Sequence, residues 1–237
     1  MIIFWRLLFG HLLADFTLQT NAVNRWKRKN AFGMLFHCAM HPVLYALLTY
    51  PYLSRPWIEW QKFSLNGWSC ILLLFLTHWI EDEWRVFTIF KYHTPDNTLY
   101  FLWDQVIHVA LIFAVAHLLQ FSNPSTQLIP ETWPVLGCLF VVTTHMAAIL
   151  IYFIEQDIFG KPFPRTFEKY ALMGERLGLF LSFLAPGLFG PVLAGFWLGE
   201  MVFVRLTKRM NFSWTGFLVG APLAVICGFL SRILYYH

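Results

Sequence analysis

Eight apolar stretches of this chain, 1–20, 31–50, 68–90, 98–121, 134–155, 170–185, 188–205 and 214–236, approach the length needed to cross a bilayer. A membrane helix needs roughly 20 apolar residues for about 30 Å of hydrocarbon. The breaks between them fall at Pro, Gly, Asn and charge clusters. Helices satisfy their own backbone in lipid, and no alternating-strand pattern is visible, so the expected fold is all-α, a polytopic transmembrane helix bundle of about eight helices. Composition agrees: 58% of the 237 residues are apolar and 13% charged, at a mean hydropathy of +0.56. A water-soluble fold would lack the polar surface to cover itself.

The amino end has neither a basic region nor a small-residue cleavage site, and is read as a retained first helix. Cys38, Cys70, Cys138 and Cys227 fall in separate apolar stretches without paired spacing, which speaks for small buried hydrophobes over disulfides or CxxC metal chemistry. Lys and Arg cluster in alternate connections: Arg25, Lys27, Arg28 and Lys29 in the first, Arg85 and Lys91 in the third, Lys161, Arg165 and Lys169 in the fifth, and Arg205, Lys208 and Arg209 in the seventh. By the positive-inside rule the odd connections are cytoplasmic and both termini lie on the other side. "APGLFGP", at 185–191, allows a tight turn or a broken, re-entrant helix.

Four pairs of polar residues stand four apart inside the apolar stretches: His11 and Asp15, His37 and His41, His78 and Asp82, Asp104 and His108. Residues four apart share a helix face. The offsets 11 to 78, 15 to 82, 37 to 104 and 41 to 108 all equal 67 residues, the mark of a duplicated helical hairpin. The chain is therefore read as a duplicated four-helix core, 1–121, carrying inward His/Asp faces, and a C-terminal four-helix part, 122–237, of the same membrane domain. Counted along the helices at ~1.5 Å per residue, Asp15, His37, Asp82 and Asp104 lie about 8–10 Å in from the cytoplasmic ends, and His11, His41, His78 and His108 about 14–15 Å.

Each Asp at such depth costs about 2.5–3.5 kcal/mol unless it has a partner. A cation supplies one, and imidazole with carboxylate suits Zn, Fe or Mn better than Mg or Ca. All eight residues are candidate ligands, in one dinuclear or two adjacent sites, with Asp15, Asp82 and Asp104 as candidate catalytic carboxylates. Gln19, Gln105 and Arg85 are candidates for hydrogen bonds to the ligands or for substrate contact. Farther on, Glu175 with Arg176 and Glu200 with Arg205 are expected ion pairs, His145 is expected to be satisfied by neighbouring Thr, and His93 and His237 to be solvated.

The segments "HLLADFTLQ", "LFHCAMH", "HWIEDEWR", "FLWDQVIH" and "GERLGLFL" resemble, over residues 10 to about 180, a bacterial family of integral membrane proteins catalogued as a domain of unknown function. The family pattern reads HLLxDFxLQ, a His-bearing helix, HxxxD followed by Lys or Arg, and DQxxH. The resemblance implies a bacterial inner-membrane location and polar helix faces, and no established reaction. "IEDE" leaves open whether Glu81 or Glu83 joins the site.

A metal-dependent membrane enzyme is the favoured function, a hydrolase of a lipid ester or phosphoester ahead of an oxidoreductase, because nothing marks an electron-transfer partner. The expected partner is a membrane lipid or lipid-like substrate, with no nucleic acid. A divalent-metal or proton transporter is the alternative, although the far halves of the first four helices are almost wholly apolar. A b-type haem protein is a third reading, disfavoured by three Asp beside a porphyrin.

Overall fold

The computed structural model describes residues 1–122, 128–208 and 212–236; Arg209 and His237 lie outside them. Helices occupy all eight expected stretches. They are α1 (Ile2–Leu12) with a π-helical continuation Leu13–Leu18, α3 (Ala31–Thr49), α4 (Gly67–Tyr92), α5 (Thr98–Ser122), α6 (Thr132–Val141) running through a π stretch Val142–Met146 into α7 (Ala147–Phe159), α8 (Thr166–Ser182), α9 (Phe189–Leu206) and α10 (Trp214–Tyr236). A short α2 (Asn21–Lys27) and a hairpin of β1 (Pro56–Trp60) and β2 (Phe63–Asn66) were not expected. The hairpin pairs Trp60 with Phe63 across a tight turn in which Gln61 takes a left-handed conformation, φ 54°. Its alternation is too short to stand out from apolar neighbours.

Five helices are long and apolar enough to cross a membrane: Ala31–Tyr52, Thr98–His117, Thr132–Phe159, Phe189–Leu206 and Trp214–Tyr236. The three expected spans outside that group, α1, α4 and α8, are shorter or carry the charged groups of the interior. "APGLFGP" forms a turn between α8 and α9, with Gly187 at φ 57°.

The chain forms two compact units, Met1–Val135 and Leu136–His237. In the first, α1 packs on α3 and α5, and α4 packs on the same two, closing a four-helix ring. One end of the ring is sealed by an apolar cluster that includes Leu7, Tyr45, Ile71, Leu74, Ile112 and the fully buried Trp57 of the hairpin. Trp57 donates its indole N–H to the Tyr52 carbonyl, 3.0 Å. Gly67 sits so close to it that a Cβ would meet Trp57 and Leu53 at 2.8 Å. Residues beyond α5 belong to this unit: Arg6 binds both Glu131 oxygens, 2.7 and 2.8 Å, and the Trp5 indole reaches the Leu128 carbonyl, 2.9 Å.

In the second unit, α8 lies against α9 and α10. The expected pairs are exchanged. Glu175 binds Arg205, 2.8 and 3.0 Å, instead of Arg176, and Arg205 is therefore not held by Glu200. Neighbours in a helix point about 100° apart, and residues five apart about 140°, so neither expected pair shares a face. Arg176 instead donates to the Thr143 and Thr144 carbonyls, 2.9 and 3.0 Å, in the π stretch, whose widened turn redirects backbone acceptors. The His145 ring contacts the Thr144 hydroxyl, 3.1 Å.

Candidate metal centre

The polar residues of α1, α3, α4 and α5 meet on the axis of the ring. His11, His41, His78 and His108 form a closed cycle of imidazoles, with centroids 5.6 Å apart for His11–His41, 3.8 Å for His41–His78, 4.1 Å for His78–His108 and 5.4 Å for His11–His108. The cycle follows the packing order of the helices. Pro42, directly after His41, removes the backbone bond to the Cys38 carbonyl within α3. The π-helical stretch begins beside Asp15 and widens the turn that carries it.

Next to the imidazole cycle, away from the hairpin, lie the carboxylates. Asp15 Oδ1 is 3.0 Å from His41 Nε2, 3.4 Å from His37 Nε2 and 3.9 Å from His78 Nε2. Asp82 Oδ2 is 3.1 Å from His37 Nε2 and 3.7 Å from His78 Nε2. His108 Nε2 lies 2.8 Å from Glu81 and 3.9 Å from both Asp82 and Asp104. Despite these distances, Nε2 of His37, His41, His78 and His108, Asp15 Oδ1, Glu81 Oε2 and Asp104 Oδ1 are buried without an aligned hydrogen bond among the described residues. Buried polar atoms are nearly always paired. Lone pairs that converge without bonding one another are what a cation site requires.

The converging atoms fall into two four-donor sets, Asp15 with His37, His41 and His78, and Glu81 with Asp82, Asp104 and His108, and within each set they lie within 4.8 Å of one another. Cys38, His78 and Asp82 form a smaller third group. These buried groupings can hold a metal ion.

Seven of the eight sequence candidates thus enter the two sets, and His11 does not. The Gln105 carboxamide explains its position: Oε1 accepts from His11 Nε2 at 3.2 Å, while Nε2 donates to Asp104 at 3.1 Å and Asp15 at 3.4 Å. A His Nε2 that donates has no lone pair left for a metal. Gln19 ends the first helix, and its Oε1 finds no partner among the described residues. Arg85 turns away to the Thr94 hydroxyl, the Pro95 carbonyl and Asp96, and stacks on Tyr100. It shares Asp96 with Arg28, 2.6 Å, and so fastens the α4–α5 connection to α2.

One choice left open by the sequence is decided, and two residues of the site, Cys38 and Lys27, were not among its candidates. Glu81 is one turn beyond His78, a spacing that places it on the same face, whereas Glu83 is exposed. Cys38, read as a small hydrophobe, has its Sγ 4.0 Å from Asp82. Lys27, read as part of a loop charge cluster, places Nζ 3.1 Å from Asp82 Oδ2. Burial opposes its charge, yet Asp82, Asp15 and Asp104 outweigh that and hold its pKa above the usual lysine value.

Lys27 reaches the site because α2 lies directly on α3. Thr20 and Asn30 cap the two helices, and at Gly33 a Cβ would fall on the Trp26 carbonyl. Gly33→Ala is expected to lift α2, withdraw Lys27 and cost about 1–3 kcal/mol by overpacking. Faster acylation of Lys27 by a water-soluble amine reagent, read by peptide mass spectrometry, checks this; an unchanged rate contradicts it.

A family model described as a protein of unknown function, DUF3307, matches residues 3–136, a range that nearly coincides with the first compact unit and contains both donor sets. No curated protein and no solved structure matches the chain.

Proposed function

Since the chain belongs to the DUF3307 family, whose description assigns no reaction, we propose from the site itself that it is an intramembrane metal enzyme hydrolysing an ester or phosphoester of a membrane lipid. The observation that carries the reading is the convergence of two four-donor sets of imidazole and carboxylate atoms inside one helix ring. As metal ligands, Asp15, Glu81, Asp82 and Asp104 would be ionised and the imidazoles neutral, which with the ammonium of Lys27 sums to −3. A cation is what makes such a set of carboxylates tolerable at membrane depth. Two divalent ions, of the Zn, Fe or Mn class, would overshoot by one positive charge, which one anionic oxygen ligand would complete. When bound, such ions would lower the pKa of water toward ~7 and polarise the oxygen of the scissile group.

The residues divide the remaining work. His37, His41, His78, His108, Asp15, Glu81, Asp82 and Asp104 would hold the ions, and Gln105 would fix the rotamers of Asp15 and Asp104. Asp104 would combine a ligand's role, through one carboxylate oxygen, with that of general base through the other: its side chain is 17% exposed against 10% for Asp15 and 6% for Asp82. It would take a proton from water as the water oxygen bonds to carbon or phosphorus, and return it to the leaving alkoxide as the ester bond breaks. Lys27 stands where it can meet an anionic head group.

The apolar cluster at the hairpin end supports a site worked from the opposite side over one that passes a substrate across the bilayer. Imidazoles as close as 3.8 Å leave no slot for a porphyrin. In the proposed setting, the bacterial inner membrane with both termini outside, the Lys27 mouth faces the cytoplasm.

The purified chain in detergent is expected to carry about two metal ions, to turn over one member of a lipid ester and phosphoester panel, and to lose turnover on chelation and regain it on metal return. A chain that keeps less than about half an ion under conditions where it stays folded overturns the reading. Metal-dependent uptake into proteoliposomes without lipid turnover would replace it with transport.

A further inference from the structure

Resting on the two-metal reading, we infer that the donor sets are unequal: the imidazole-rich set encloses a borderline transition ion, and the carboxylate-rich set holds a harder, exchangeable cation of the manganese or magnesium class. Donor chemistry is the first ground. Three imidazoles with one carboxylate suit Zn or Fe, while three carboxylates with one imidazole suit Mn or Mg.

Enclosure is the second. Side chains of the first set come from the α1 continuation, α3 and α4, with His37 and His41 at 0%, His78 at 5% and Asp15 at 10% exposure. The second set comes from α4 and α5 alone, and two of its members are the most exposed of the eight, Glu81 at 16% and Asp104 at 17%. His108, 2% exposed, aims its Nε2 into that set, 2.8 Å from Glu81 Oε2. An ion there has a shorter way out, and Lys27 on Asp82 competes with it for one of its ligands.

A small cavity is the third. His78 of the first set and His108 of the second both line it, with Thr77, Leu74, Leu111 and Ile112 around them. With Tyr45 of α3 also on its wall, it offers about one water-sized place on the apolar-cluster side of the imidazoles, touching one imidazole of each set.

The full chain in detergent, stripped of metal, would be loaded with Zn²⁺ alone, Mn²⁺ alone or both, desalted, and assayed by elemental analysis and Mn²⁺ electron paramagnetic resonance. The expected result is one Zn²⁺ retained through desalting and one Mn²⁺ bound reversibly beside it. Asp104→Asn should weaken Mn²⁺ at least about tenfold and leave Zn²⁺ in place, and His41→Ala should release Zn²⁺. Glu81→Gln repeats the first arm should Asp104→Asn fail to fold. Two Zn²⁺ held equally with no Mn²⁺ bound beside Zn²⁺, or Zn²⁺ lost with Mn²⁺ in Asp104→Asn, overturns the inequality and leaves the two-metal reading standing. Retention of neither metal overturns both.

Discussion

Asp82→Asn is expected to lower turnover by about 10³-fold or more and to destabilise the protein by about 3 kcal/mol. Asp82 is the hub of the centre: Lys27, His37, His78, His108 and Cys38 all lie within 4.0 Å of its carboxylate. The amide keeps the shape of the side chain but removes a ligand charge and leaves Lys27 without its ion pair. Breaking a buried pair costs about 3–5 kcal/mol, and the low end applies because Lys27, 12% exposed, can straighten toward water. Lys27→Met added to Asp82→Asn should recover most of the stability and none of the turnover. Thermal unfolding in detergent, metal counts and lipid hydrolysis separate these outcomes. An Asp82→Asn protein that keeps both metals and its turnover would reduce Asp82 to a counter-ion for Lys27.

Glu175→Ala is expected to cost about 3–5 kcal/mol while leaving metal content per folded chain unchanged. Its partner Arg205 has a side chain with 0% exposure, and the two are joined by two hydrogen bonds between α8 and α9. Without the carboxylate, the guanidinium keeps, among the described residues, the Met201 and Ser213 carbonyls, 2.8 and 3.0 Å, and the Phe212 and Phe217 rings, and a buried charge loses its counter-ion. Replacing both residues by Leu should be far milder than Glu175→Ala alone, since the pair's attraction and its desolvation largely cancel. A loss below about 1 kcal/mol for Glu175→Ala would mean that water reaches the pair.

Helix positions were legible in the sequence because apolar length and breaker residues are local properties. So was the alignment of His41, His78 and His108 with Asp82 and Asp104, because spacing along a helix sets the face a side chain shares. The hairpin at 56–66 was not, since its few alternating residues make sense only once Trp57 fills the end of the four-helix ring. Glu175 and Arg205 lie 30 residues apart, and only the packing of α8 on α9 selects that pairing over Glu200.

The same division runs through the centre. That polar groups line one face of each of four helices follows from the sequence alone, through the periodicity of the α-helix. Which atoms converge was decided by the tertiary structure: Gln105 takes His11 out of the donor set, Glu81 enters it, and Gly33 lets α2 bring Lys27 onto Asp82. Helical spacing specifies direction around an axis, whereas a ligand set depends on distances between axes, and those are set by how closely the helices pack.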